Sequence, residues 1–194
     1  MAQKAWSQEL YLPEEYLSRE ELAESRSEYD DGVITAMAGS TVDHQQITHN
    51  SAVSLDSKIR RNGCRVFPTE MKVRVESVNK FYYPDITVIC EQPAFYQERR
   101  DTITNPKLLI EVLSDGTEAR DRGEKFFAYQ TLESLQEYVL ISQDKHLVET
   151  FTKQSDGSWK YLATIGLESK IQLQSVDVEL FMREIYALVE LTNR

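Results

Sequence analysis

Short apolar runs punctuated by polar and turn-forming residues alternate with one long amphipathic stretch, a pattern that predicts an α/β fold. Ile86-Thr87-Val88-Ile89-Cys90 and Leu108-Leu109-Ile110-Glu111-Val112-Leu113 are rich in aliphatic and β-branched residues and lie between Pro, Asn and Ser. Each reads as a buried strand. Ser27–Asp30 and Val33–Met37, separated by Asp31-Gly32, read as a hairpin. Further strands are predicted near Cys64–Phe67, Glu70–Glu76, Glu137–Ser142, Leu147–Thr152, Trp159–Ala163 and Lys170–Leu173.

The helical signals are fewer. Ser18-Arg19-Glu20-Glu21 has the form of a capping box and predicts a short helix through Ser25. Gly39-Ser40-Thr41 opens a long helix that Asn62-Gly63 ends, with Ile47, Ser51, Leu55 and Ile59 on one face and His44 a turn earlier. Thr117 caps a helix to about Leu132, and helical turns from Asp177 to Leu191 close the chain. Glu91 to Pro106 lacks periodicity and reads as a mobile loop beside a site, with a short helix over Ala94–Arg100 as the alternative. Without repeats or linkers, the 194 residues form one α/β domain, 1–194, around a mixed central sheet.

Composition narrows the class. Hydrophobic content of 41% and charged content of 28% are those of a soluble globular protein. No apolar run reaches membrane-spanning length, and Met1 to Trp6 contain no signal-type apolar region. Cys64 and Cys90 have no metal-type spacing, so the expectation is a reduced, cytoplasmic protein without a membrane partner. The formal net charge of -10 opposes phosphate binding by the surface as a whole. Residues 58–80, however, carry seven basic side chains against Glu70 and Glu76. That local excess reads either as a phosphate-facing patch or as a solvated face or dimer contact.

The chemistry resides in two carboxylates on the apolar strands. Asp85 follows Pro84 at the mouth of one run, and Glu111 sits inside the other, 26 positions later. An ionised carboxylate in such a strand is costly unless a cation or several donors meet it. Glu111 and Leu113 share one strand face, Ile110 and Val112 the other. If the two strands pair, both carboxylates reach one point, where hard oxygen donors suit Mg²⁺ or Mn²⁺. The competing account has Asp85 capping a turn and Glu111 in a buried ion pair.

Asp121, Lys125, Ala128, Tyr129 and Leu132 fall on one helix face, which turns Lys125 toward the sheet and Glu111. Its ammonium would either stabilise charge on a scissile phosphate or hold a structural ion pair with Asp121 or Glu111. Glu70, Lys72, Arg74 and Glu76 read as the polar-out positions of one strand, with Glu70 as a further acidic ligand in reserve. Tyr11, Tyr82 and Tyr83 offer base stacking or core packing.

Tyr83-Pro84-Asp85, Leu109-Ile110-Glu111-Val112-Leu113-Ser114, Asp121-x-x-x-Lys125-x-x-x-Tyr129 and Glu137-Tyr138 together resemble the Uma-type family of restriction endonucleases. That family lies within the PD-(D/E)xK nuclease superfamily, and the similarity extends to Glu28, Asp31-Gly32 and His44. It implies a restriction-endonuclease-like sheet flanked by helices, divalent metal at Asp85 and Glu111, and hydrolysis of nucleic-acid phosphodiesters. One position departs: the superfamily pattern asks for Lys two residues after the Glu, and this chain has Leu113 there. Lys125 reads as that lysine moved to the neighbouring helix. Glu70-Met71-Lys72 has the Glu-x-Lys form but precedes the Pro-Asp, so it does not fill that slot.

The resulting expectation is a Mg²⁺-dependent (or Mn²⁺-dependent) endodeoxyribonuclease that works as a homodimer. Asp85, Glu111 and Lys125 are its catalytic residues; Glu28, His44 and Glu70 are additional candidates. The alternative is an inactive binding or assembly module of the same fold. A carboxylate-pair glycosidase is disfavoured, because an inward lysine hinders keeping one acid protonated.

Overall fold

The computed structural model describes residues 9–191; the reading of Met1–Trp6 lies outside them. The first helix, α1 (Pro13–Glu20), precedes the predicted capping box. Pro13 supplies the pre-set first turn, and the Leu12 N–H donates to the Glu15 carboxylate at 2.7 Å. The box fails as a start signal because Ser18 instead donates its hydroxyl back to the Glu14 carbonyl at 2.8 Å. The predicted hairpin forms as β1 (Ser27–Asp30) and β2 (Val33–Ala36), antiparallel. The long helix α2 (Val42–Ile59) follows, with Thr41 accepting the His44 N–H at 3.2 Å and Gly63 ending the final turn at φ 76°.

Next come β3 (Arg65–Pro68), β4 (Lys72–Val75), β5 (Lys80–Tyr82) and β6 (Ile86–Ile89). Beyond them the expected mobile loop or helix is a bulged hairpin, β7 (Phe95–Tyr96) and β8 (Arg99–Ile103). Pairing of β8 with β4 gives this segment structure that no local periodicity announces. The core strand β9 (Leu108–Leu113) leads into α3 (Glu118–Arg120), a π-turn (Asp121–Lys125) and α4 (Phe126–Tyr129). This segment ends short of Leu132. Thr117 makes no side-chain cap; its hydroxyl pairs with that of Ser114.

The chain continues through β10 (Glu137–Ser142), β11 (Leu147–Lys153), β12 (Trp159–Ile165) and β13 (Lys170–Leu173). The closing segment is not wholly helical: Val178–Phe181 is a strand, β14, before the short α5 (Met182–Ile185). Pairing with β13 decides it.

Among the described residues, fourteen strands thus make two mixed six-stranded sheets and one hairpin. The orders are β2-β1-β5-β4-β8-β7 and β12-β11-β10-β9-β6-β3. The second sheet is the expected mixed sheet flanked by helices. Ile110, Val112, Ile86 and Val88 pack on one side with Ile47, Leu55 and Ile59 of α2. Leu109, Leu113, Tyr138 and Leu140 pack on the other with Tyr129 of α4. Both faces are covered, which is why β9 and β10 are mostly apolar and buried at every position, Glu111 and Glu137 included.

Three expectations change here. Cys64 and Cys90 are joined by a disulfide, because the Arg65↔Ile89 register sets them opposite each other across the β3–β6 edge. Positions 26 residues apart carry no local sign of that pairing. Second, β4 is not polar-out: Lys72 and Arg74 are both buried, Lys72 paired with Asp101 and Arg74 stacked on Phe81 and Tyr96. The strand lies inside its sheet, so its long cations reach partners by their ends. Third, the basic run at 58–80 is no single patch. Lys72, Arg74 and Lys80 are absorbed by these contacts and by the Lys80–Asp30 pair, whereas Lys58 and Arg60 pair with Glu184 and Asp56 at the C-terminal end of α2. Among the described residues, no helix is long and apolar enough to cross a membrane.

Candidate active site

The site forms at the seam between the sheets, where Tyr83-Pro84-Asp85 carries the chain from β5 to β6. The expected pairing of β6 with β9 is present and antiparallel, Ile86 facing Ile110. It brings the two carboxylates together. The Asp85 N–H donates to Glu111 Oε2 at 3.2 Å, and the Val112 N–H donates to Asp85 Oδ2 at 2.8 Å. Each carboxylate is therefore oriented by the backbone beside the other.

Lys125 enters from the π-turn. Its Nζ lies 3.1 Å from Glu111 Oε1, 3.1 Å from Glu28 Oε1 and 3.2 Å from Asp121 Oδ1. A π-turn adds a residue to the helical turn and so changes which side chains face the sheet. Gly123 in its middle weakens the preference for a regular helix. The Tyr138 hydroxyl secures the turn by donating to the Asp121 carbonyl at 3.0 Å. Leu113, at the position where the superfamily pattern has Lys, is buried against the apolar cluster under α4. An ammonium there would lose that packing, and Lys125 brings one to Glu111 from above.

Glu28 comes from β1 of the other sheet. It accepts the Tyr83 N–H at 3.4 Å and pairs with Arg120 as well as Lys125. The Tyr129 hydroxyl donates to Glu111 Oε1 at 3.2 Å. His44 Nε2 stands 3.3 Å from Asp85 Oδ2, from the first turn of α2. Asp85, Glu111, Lys125, Glu28 and His44 thus meet in one network. Glu70 does not join it. Its carboxylate pairs with Arg26 at 2.9 Å and its side chain is 77% exposed. It follows Thr69, whose φ of 54° turns the chain away from β3.

Sequence reasoning passed over Arg120 and the Tyr129 hydroxyl as site groups. Tyr129 was legible in the Lys125-x-x-x-Tyr129 spacing, but it read as a core residue. Arg120 had no signal, since its partner is on a strand 92 residues earlier.

The site carries more acid than base. Glu28, Asp85, Glu111 and Asp121 face Lys125 and Arg120, with His44 at the rim. Burial drives the Glu111 carboxyl well above its usual range, Lys125 opposing it and the neighbouring acids reinforcing it. Burial raises Asp121 too, again against Lys125. For Lys125 burial favours the neutral amine, but Glu111, Glu28 and Asp121 outweigh it and hold the ammonium charged. Burial would lower His44; the hydrogen bond and charge of Asp85 overcome it and raise the imidazole instead.

The donor set fits a magnesium-like ion. Asp85 is the most open of the acids, and among the described residues nothing bonds its Oδ1. No ready-made cage of three or more His, Cys, Asp or Glu exists among those residues. Mg²⁺ needs none, since it is held by one or two carboxylates and keeps water or substrate oxygens elsewhere. A divalent cation beside Asp85 and Glu111 would also balance the excess acid.

Known proteins share this architecture. A crystal structure titled as a putative nuclease belonging to DUF820, from Anabaena variabilis, superposes with a TM-score of 0.70. It covers 87% of this chain and 93% of that one at 18% identity, a likeness of fold. Two uncharacterized Synechocystis proteins are closer in sequence. Protein sll1609 is 34% identical over 84% of this chain and 93% of its own length, and slr1290 is 32% identical over 90% of each. The Uma2 family pattern, described as putative restriction endonuclease, matches residues 13–183, and the chain belongs to that family.

Proposed function

We propose that the protein is a divalent-metal-dependent endonuclease that hydrolyses DNA phosphodiester bonds at the Asp85–Glu111–Lys125 site. The observation that carries this reading is the approach of Lys125 to Glu111, 3.1 Å, from the helix side of a strand that has Leu113 in place of lysine. This contact supports reading Asp85, Glu111 and Lys125 as the two acids and the cation of a PD-(D/E)xK-type centre, with the cation on a different element.

Asp85 and Glu111 would hold Mg²⁺ or Mn²⁺. When bound, such an ion supplies Lewis-acid neutralisation of the charge that builds on a phosphate oxygen during hydrolysis. The chain's own residues do the rest. Lys125 and Tyr129 hold one Glu111 oxygen in place and favour its ionised form. The Val112 N–H and His44 fix Asp85 Oδ2, which leaves Oδ1 toward the opening. His44 can carry a proton at Nε2 beside Asp85, where a leaving oxygen would take one up. Lys125 supplies the positive charge that the strand itself lacks.

A second reading has an observation of its own. Lys125 is 6% exposed and all its ion-pair partners are acids of the same network, as in a purely structural ion cluster. Plasmid cleavage separates the two. Purified protein with Mg²⁺ or Mn²⁺ nicks supercoiled DNA, chelator stops it, and Glu111→Ala and Lys125→Ala lose it. Cleavage undiminished in folded Glu111→Ala would remove the site from the reaction. Absence of both cleavage and millimolar metal binding in folded protein would favour the structural reading.

A further inference from the structure

Among the described residues the outer edge of β12 pairs with no strand. The Gly166 N–H donates to the His146 carbonyl at 3.0 Å, and the Gln154 N–H to the Ser158 carbonyl at 2.8 Å. These bonds bracket the β11–β12 ladder, whose register runs from Leu147↔Ile165 to Lys153↔Trp159. Antiparallel bonding alternates along a strand. The residues bonded to β11 are therefore Lys160, Leu162 and Thr164. The N–H and C=O groups of Trp159, Tyr161, Ala163 and Ile165 point outward. Among the described residues no strand meets them.

The other edges of the two six-stranded sheets are blunted. β3 has four residues and ends on Pro68, which has no N–H; β2 has four residues and β7 two. β12 has seven, with Lys160 as its only charge. Tyr161, Leu162 and Ile165 are 53%, 54% and 74% exposed. A long edge with outward apolar side chains invites another strand.

We infer that β12 pairs antiparallel with β12 of a second copy of this chain, about a two-fold axis through Leu162, joining the two six-stranded sheets into one. Leu162 is the midpoint of Trp159–Ile165, so this register uses the whole strand. It sets Trp159 against the partner's Ile165, Tyr161 against the partner's Ala163 and Leu162 against the partner's Leu162. Lys160 meets the partner's Thr164, so no like charges oppose. The outward N–H and C=O groups of Tyr161 and Ala163 bond across the axis. An isologous contact closes on itself and leaves only the short β3 edges at the two ends of the joined sheet. The homodimer expected from the sequence would then form through β12. The inference stands apart from catalysis.

Light scattering on size-exclusion chromatography tests it. Wild type runs at twice the chain mass of 22.5 kDa, and Leu162→Lys, which sets two ammonium groups against each other, runs at the chain mass with unchanged circular dichroism. Ala163→Pro removes only an outward N–H and has the same effect. A geometric probe does not depend on either variant folding well. Leu162 is a non-hydrogen-bonded pair across the axis, where Cα atoms approach to about 4.5 Å. Among the described residues no cysteine is free, so Leu162→Cys forms an interchain disulfide on mild oxidation. Thr35→Cys, on the exposed edge of β2, does not. A monomeric wild type overturns the inference, and so does a dimer that survives Leu162→Lys and leaves Leu162→Cys uncrosslinked.

Discussion

The Lys125 ammonium lies 3.1 Å from a carboxylate oxygen of Glu111, across fourteen positions of sequence and from helix to strand. It shares that position with Glu28 and Asp121. Lys125 is thus shared by three acids from three different elements, of which Glu28 also pairs with Arg120.

Removing it exposes that dependence. Lys125→Met leaves buried carboxylates without their common partner, a change that costs about 3–5 kcal/mol. Urea unfolding at neutral pH shows the loss. It narrows in acid, since the Glu111 and Asp121 carboxyls sit above the ordinary carboxylate range and are relieved by protonation. A loss that stayed constant from neutral to acid would contradict the assignment of charge.

The Tyr129 hydroxyl contributes a smaller share. Tyr129→Phe deletes its bond to Glu111 Oε1 and keeps the ring packed against Tyr82 and Tyr138. About 1–2 kcal/mol is lost, with the Lys125 contact still in place. A loss as large as that of Lys125→Met would mean that the hydroxyl, not the ammonium, holds Glu111.

Metal and protein stability are linked. An ion that binds the folded site and not the unfolded chain raises the melting temperature in proportion to the logarithm of its concentration. Mn²⁺ should raise it for wild type and not for Asp85→Asn. Equal shifts in both proteins would place the ion elsewhere.

Away from the site, Arg122 ties the π-turn to the second sheet. Its guanidinium meets Glu149 at 2.5 Å, and the Tyr161 hydroxyl donates to the same carboxylate at 2.8 Å. Burial raises the Glu149 carboxyl, but Arg122 and Tyr161 outweigh it and leave it below its usual range. A depressed carboxyl stabilises the folded state above the unfolded value of about 4.3, and that stability fades as pH falls through the lower folded value. Glu149→Gln should therefore be less stable than wild type at neutral pH, with the difference shrinking below about pH 4. A difference that grows in acid reverses the sign and rejects the pairing.

The disulfide makes a direct demand. Thiol titration of unfolded, unreduced protein finds neither Cys64 nor Cys90 reactive, and reductant releases both. One reactive thiol per chain or more without reductant would show the pair open.

The sequence alone determined the elements whose signals are local. The Asp31-Gly32 hairpin, the span of α2, the full burial of β6 and β9 and the inward turn of Lys125 follow from turn residues and periodicity, which act within a few positions. Asp85, Glu111 and Lys125 were legible for the same reason: charges in apolar settings must find partners. Tertiary structure decided what depends on distant pairing. The β7–β8 hairpin, β14, the burial of Lys72 and Arg74 and the Cys64–Cys90 bond exist because another strand lies alongside. It also decided that Glu28 and Arg120 enter the site and that Glu70 turns away to Arg26. Local sequence sets which side chains need a partner. Only the packed sheets determine which partner is within reach.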